Sequence, residues 1–323
     1  RRMGVGAHPP TESQVRAFEA GGLTSEWDSA PTCIAALLVE RLRRTPSLPL
    51  PAQWDEALTL LAQHPHPLPH PDYAALAYRI NDRQLDGTAA AEIARAVLWQ
   101  EVQTTPDLAP QRAALDALFE TLLGCTYDFH RAPVTRHFQH LVIGSQGVAR
   151  TYGVAPDFES GPYLQTHDRP LLTAAARTLL QEHVATGRVR VALYTARPSL
   201  PPADVEPRVG YSPEAEMARS LVGLDKYALI GLGRVRWLAE ETGEKAARLV
   251  KPSPVQALAA IGAAWSGPES AALEAAIALQ RGKGLQPPLA GLAKKRITVH
   301  VFEDSPGGID AVRRAVQGLQ AAG

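Results

Sequence analysis

From about Val15 to Phe138, apolar residues recur at helical spacing, with alanine and leucine dominant and almost no β-branched runs. Ala30–Arg43, Ala52–Gln63, Tyr73–Ile80, Ala89–Gln103 and Gln111–Leu123 are the strongest helical segments. Thr45–Pro51 and His64–Pro71 separate them, because proline lacks an amide proton and clashes with the preceding turn. No fixed period repeats, which argues against a helical solenoid. The period then changes. Arg188–Tyr194 (RVRVALY), Ile297–Phe302 (ITVHVF) and, more weakly, Tyr227–Ile230 read as short strands. Helical patterns over Leu171–Thr186, Pro213–Val222, Val235–Thr242, Pro254–Ala264 and Glu269–Gln280 lie between them. Strands alternating with helices predict βα units on a parallel sheet, with ligands at the carboxyl ends of the strands. A loop rich in glycine, proline and polar residues, Gly153–Asp168, marks the boundary. The expectation is an all-helical domain over residues 1–160 and an α/β domain over 161–323.

Composition narrows the function classes. The chain has 323 residues, 45% hydrophobic and 20% charged, which is globular composition. Thirty-three basic residues balance thirty-three acidic ones, so charge points to no nucleic-acid partner. No apolar run approaches the roughly 18 residues of a membrane span, so no membrane partner is expected. Two cysteines, Cys33 and Cys125, are too few for a disulfide framework. With no secretory signal, a reducing, cytoplasmic setting is the expectation. Nothing in the sequence sets the oligomeric state.

Three strand-end motifs carry candidate chemistry. The last expected strand runs into Glu303-Asp304-Ser305-Pro306-Gly307-Gly308-Ile309. Ser305 suits a helix N-cap and Pro306 the first helical position, while the two carboxylates form a hard oxygen site of the kind Mg²⁺ prefers. A plain acidic turn with capping duties accounts for the same residues. Arg188–Tyr194 ends in Thr195-Ala196-Arg197, where the Thr195 hydroxyl and the Ala196 amide can donate to a phosphate oxygen. Lys251, in Val250-Lys251-Pro252-Ser253-Pro254, stands just before a helix and can bring a point charge to a phosphate or a carboxylate.

The order of these pieces resembles the haloacid dehalogenase superfamily, closest to its phosphatase and β-phosphoglucomutase-like members with a helical cap. The likeness covers roughly Gly161–Ala322, and the upstream helices fit only in kind, as the inserted cap. It implies a Rossmann-like parallel sheet core and a Mg²⁺-dependent hydrolase, a phosphatase acting on a small phosphorylated metabolite through an aspartyl-phosphate. A phosphomutase or another hydrolase of this superfamily is the alternative on the same scaffold. By the resemblance, Thr195 and Ala196 bind the phosphoryl group, Lys251 stabilises its charge, and Glu303 and Asp304 hold Mg²⁺. One departure stands out: the family's first motif, a strand ending in Asp-x-Asp whose first aspartate is the nucleophile, is not in the sequence. Asp28, Asp55, Asp72, Asp82 and Asp86 sit in helical or turn contexts instead. The expectation is that this strand falls upstream of Arg1; a catalytically silent binding or regulatory protein is the alternative.

In the expected cap, Glu26, Trp27 and Asp28 within Gly21–Asp28 are candidates to read the substrate, as is His8. A helix start capped by Thr24 or Ser25, with Trp27 in the core, explains that string equally. His64, His66 and His70, and His130, His137 and His140, match no zinc spacing. Arg41, Arg43 and Arg44 need only a solvated helix end.

Overall fold

The computed structural model describes residues 3–23, 25–83, 88–208 and 210–323; Thr24 and Asp86 lie outside the described residues. The chain packs as two compact units, Arg1–Gln139 and His140–Gly323. Composition set the boundary later, in the loop after residue 152. That loop is tied back within the second unit, where Ser145 N–H donates to Ser160 O at 3.0 Å and Asp157 N–H to His140 Nε2 at 2.9 Å.

The first unit is helical: α1 (Glu12–Ala20), α2 (Glu26–Arg44), α3 (Trp54–Gln63), α4 (Tyr73–Asn81), α5 (Ala90–Thr104) and α6 (Arg112–Leu123), with α7 (Pro133–Val142) crossing the boundary. Its starts follow capping chemistry. Thr11 closes a capping box with Gln14, Ser25 accepts from Trp27 N–H, and Asp72 accepts from Ala75 N–H. Leu38, Leu42, Leu61, Tyr73, Ile80, Leu98, Leu115 and Phe119 form a continuous buried core. Arg41 does not sit at a solvated helix end. It is buried, donating to Thr45 Oγ1 at 2.6 Å and to His64 O. Arg43 and Arg44 remain partly exposed and pair with Glu101 and Glu40.

The second unit contains α8 (Gly144–Tyr152), α9 (Tyr163–Thr166), α10 (Ala174–Ala185), strand β1 (Ala192–Tyr194), α11 (Glu214–Leu221), strand β2 (Ala228–Ile230), α12 (Leu232–Thr242), α13 (Pro254–Ser266), α14 (Glu269–Gln280) and α15 (Pro306–Ala322). Helix α13 is its axis. It is buried on nearly all sides and packs against both strands, α14 and α15. Gly262 permits the closest approach, since a Cβ there would meet Ala272 Cβ and Pro288 Cγ at 3.2 Å. A buried ion pair locks β2 to its surroundings. Arg234 Nε lies 2.9 Å from Glu269 Oε2, while Glu269 also accepts from Leu229 N–H at 2.8 Å and Ala203 N–H at 3.0 Å.

The expected Rossmann-like sheet core is not what the structure shows. The unit is mostly helical, and among the described residues its sheet has two parallel strands of three residues, paired Ala192↔Ala228, Leu193↔Leu229 and Tyr194↔Ile230. The expected strand at Ile297–Phe302 has no ladder partner and no regular structure. Ile297, Val299 and Val301 are 43%, 36% and 36% exposed, and Phe302 is 95% exposed. The physical reason is that a strand is defined by its neighbour. β-branched composition favours a pleated, half-buried surface but cannot supply the second row of amides and carbonyls.

Candidate functional site

Capping chemistry and the ends of the strands build the site. Tyr194 closes β1, and Thr195 follows with its N–H still donating to Ile230 O at 3.0 Å. The Thr195 Oγ1 accepts from Arg197 N–H at 3.1 Å, which fixes the turn through Ala196. Gln256, fully buried near the start of α13, donates to Thr195 O at 2.7 Å and to Ile230 O at 2.9 Å, holding the ends of both strands together. Ser253 caps α13 with Pro254 at its first position, so the preceding turn presents Lys251. Ser305 caps α15, accepting from Gly308 N–H at 3.1 Å, and Pro306 begins the helix as the sequence indicates.

These elements bring Thr195, Lys251, Glu303 and Asp304 to one cavity of about 450 Å³, lined also by Tyr194 and Phe302. Lys251 Nζ donates to Glu303 Oε2 at 2.6 Å and lies 4.3 Å from the centre of the Tyr194 ring. Glu303 Oε1 accepts from Ser305 Oγ at 2.6 Å and from Ser305 N–H at 3.1 Å. Burial works against the charge on Glu303, but the hydrogen bonds from Lys251 and Ser305 outweigh it and hold the carboxyl down at about 2. Tyr194 Oη donates to Gly308 O at 2.9 Å, and burial, with the nearby charges of Glu303 and Asp304, pushes its phenol up. Asp304 is exposed and carries the free carboxylate of the cavity.

The sequence missed Tyr194, Gln256 and Phe302. Tyr194 stands directly before the threonine motif, so its place was readable; nothing in the sequence marked Gln256, whose role exists only once two strands end beneath it. The cap candidates are placed differently, all in the first unit, and none lines this cavity. Trp27 is buried and stacks on Tyr127 at 5.4 Å between ring centres. Asp28 is buried, accepting from Thr126 Oγ1 and Tyr127 Oη, each at 2.7 Å, with burial raising its pKa against those bonds. Glu26 is exposed in the first turn of α2, and His8 Nε2 lies 2.6 Å from Val5 O. The first unit has its own cavity of about 430 Å³, where Glu101 pairs with Arg43 at 2.9 Å and Arg79 at 2.7 Å.

Among the described residues, no group of three or more histidines, cysteines or acids could hold a metal ion. Of the histidines, His70 Nε2 lies 2.9 Å from Pro9 O and His64 Nδ1 3.0 Å from Leu60 O. At the acidic pair, Glu303 is engaged by Lys251 and Ser305, leaving the Asp304 carboxylate. That set fits Mg²⁺ only as an ion that keeps most of its waters and shares its remaining positions with a phosphate. No helix is long and apolar enough to cross a membrane. Comparison of the chain with family models, with curated proteins and with solved structures found no match.

Proposed function

We propose that the chain is the phosphate-binding part of a Mg²⁺-dependent phosphatase of the haloacid dehalogenase type, acting on a small phosphorylated metabolite. The observation that carries the reading is the convergence of Thr195, Lys251, Glu303 and Asp304, far apart in sequence, on one cavity. With its oxygen already accepting from Arg197, the Thr195 hydroxyl can direct its proton toward a phosphate oxygen. Lys251 supplies a positive charge to the equatorial oxygens, and its hydrogen bond to Glu303 holds the ammonium in place. A bound Mg²⁺ would offset the repulsion between a phosphate and an attacking anion, with Asp304 as its protein anchor. The reading requires an attacking aspartate, and the sequence contains no Asp-x-Asp string to supply it.

The test is hydrolysis of p-nitrophenyl phosphate by the complete gene product, with and without Mg²⁺. Turnover that needs Mg²⁺ and is lost in Asp304→Asn is expected; full activity in that variant defeats the site. The missing string and the lone free carboxylate favour a second reading, a silent phosphate-binding protein. Saturable phosphate binding without turnover, in a gene that encodes no aspartate strand, would select it.

A further inference from the structure

Overall neutrality hides a local imbalance of charge in the second unit. Residues 183–203 and 275–302 contain eight lysines and arginines and no carboxylate. Arg197 is spent on Glu214 at 3.8 Å, and Arg281 on Glu244 at 2.8 Å. Among the described residues the other six form no ion pair, and all six are exposed. Trp265, half-buried at the end of α13, gathers most of them. The Arg190 guanidinium and the Lys295 ammonium lie over its ring, 4.4 and 5.1 Å from the centre, so one indole carries both heads. Arg190 also donates to Trp265 O at the carbonyl end of the helix and has N–H groups to spare. Gly291 fixes the indole from its edge, since a Cβ there would come within 2.5 Å of Trp265 Nε1. Arg188 stands two residues before Arg190, while Lys294 and Arg296 flank Lys295, which brings five cations to this surface. Lys294 is held left-handed at φ 61°, the one such non-glycine residue among those described. The nearest carboxylate along the chain from Trp265, Glu269, is buried and bound to Arg234. Like charges gathered without counter-charge repel one another, a cost that an anionic partner removes.

We propose that the surface around Trp265, made by Arg188, Arg190, Lys294, Lys295 and Arg296, binds single-stranded nucleic acid. The cations answer the phosphates, whose condensed counterions are released on contact. The indole and the guanidinium over it are groups on which an unpaired base stacks, and an acidic peptide or a lipid headgroup has no ring to place there. A duplex keeps its base faces covered, which leaves the single strand as the partner that uses both features. Balanced composition is no obstacle, because binding reads the charge of one surface and not of the whole chain. Arg190 precedes β1 and Thr195 follows it, so this surface lies at the opposite end of the strand from the phosphate cavity. The inference therefore does not need the phosphatase reading, and its test measures binding alone.

The probe is a fluorescein-labelled single-stranded DNA of about 16 nucleotides, mixed in sequence and without terminal phosphates, titrated into the whole chain at low salt. Saturable anisotropy is expected, with log K falling against log salt at a slope of about −3.5, roughly 0.7 for each of the five cations. Replacing Arg188, Lys294, Lys295 and Arg296 together by Gln should weaken binding at least tenfold without moving the melting temperature, because all four side chains are exposed. If that variant melts early, Arg296→Gln alone should still make the slope shallower by about 0.7, and an unchanged slope overturns the proposal. Lys251→Met, in the phosphate cavity, should bind as the parent chain does; loss of binding there, with the fourfold variant unaffected, overturns the proposal by moving the strand to the cavity. An abasic chain of the same length should bind at least about fivefold more weakly. Equal binding of the abasic chain, or displacement of the DNA by poly-glutamate of equal charge, overturns a nucleic-acid partner and leaves an unselective cationic surface. Absence of saturable binding overturns the proposal outright.

Discussion

The contact between Lys251 and Glu303 decides the electrostatics of the cavity. Glu303 holds its folded pKa at about 2, below the ordinary 4.5, so its stabilising contribution is complete above about pH 4.5 and drains away as pH falls toward 2. Lys251→Met should raise the Glu303 pKa well above 2, read by carboxyl NMR titration, and should flatten that acid limb of stability. An unmoved pKa would mean that Ser305, and not the ammonium, governs the carboxylate. Asp28 shows the opposite balance, since burial lifts its pKa although two hydroxyls donate to it. Asp28→Ala strands Thr126 and Tyr127 without their acceptor and should cost about 1–3 kcal/mol in chemical denaturation. Thr195, Lys251, Glu303 and Asp304 could be picked out because each follows a strand pattern or precedes a helix pattern, whereas Tyr194 and Phe302, which line the same cavity, read only as strand residues. Asp28 was misassigned because an acid beside a tryptophan looks the same in sequence whether it faces a pocket or a pair of buried hydroxyls.

Helices and strands differ in how much of their cause is local. The proline-led starts at Ser253-Pro254 and Ser305-Pro306 could be read directly, because a cap satisfies amides within its own first turn. Alanine-rich α13 could be read as a helix, but not as the buried axis of its unit, which depends on what surrounds it. The strands were over-read: RVRVALY shrinks to Ala192–Tyr194, and ITVHVF forms no ladder among the described residues. Beyond the backbone ladder, one side-chain amide ties the ends of the short sheet together: Gln256 donates to the carbonyl of Thr195, just after β1, and to that of Ile230, the last residue of β2. Gln256→Leu preserves bulk but leaves Thr195 O and Ile230 O without that donor. A loss of about 1–3 kcal/mol is expected, with faster amide exchange at 192–195 and 228–230. Unchanged exchange there would show that the backbone ladder holds by itself.

At the scale of the whole chain, the two units keep separate accounts of buried surface. Every residue of the first buried cluster falls between Met3 and Leu123, and every residue of the second between Ile230 and Ala315. A core drawn from one continuous stretch of chain can form without the rest, because loop closure inside it is short and its apolar contacts are self-contained. The change of texture near the middle of the sequence reflects this, although the break lies before His140 rather than in the polar loop beyond Tyr152. A fragment comprising residues 1–132 ends before α7, the helix that crosses the boundary, and retains the complete first cluster. It should give a helical circular-dichroism spectrum and a single cooperative thermal transition. A featureless, non-cooperative melt would mean that α7 and the residues after it are needed to close the first core.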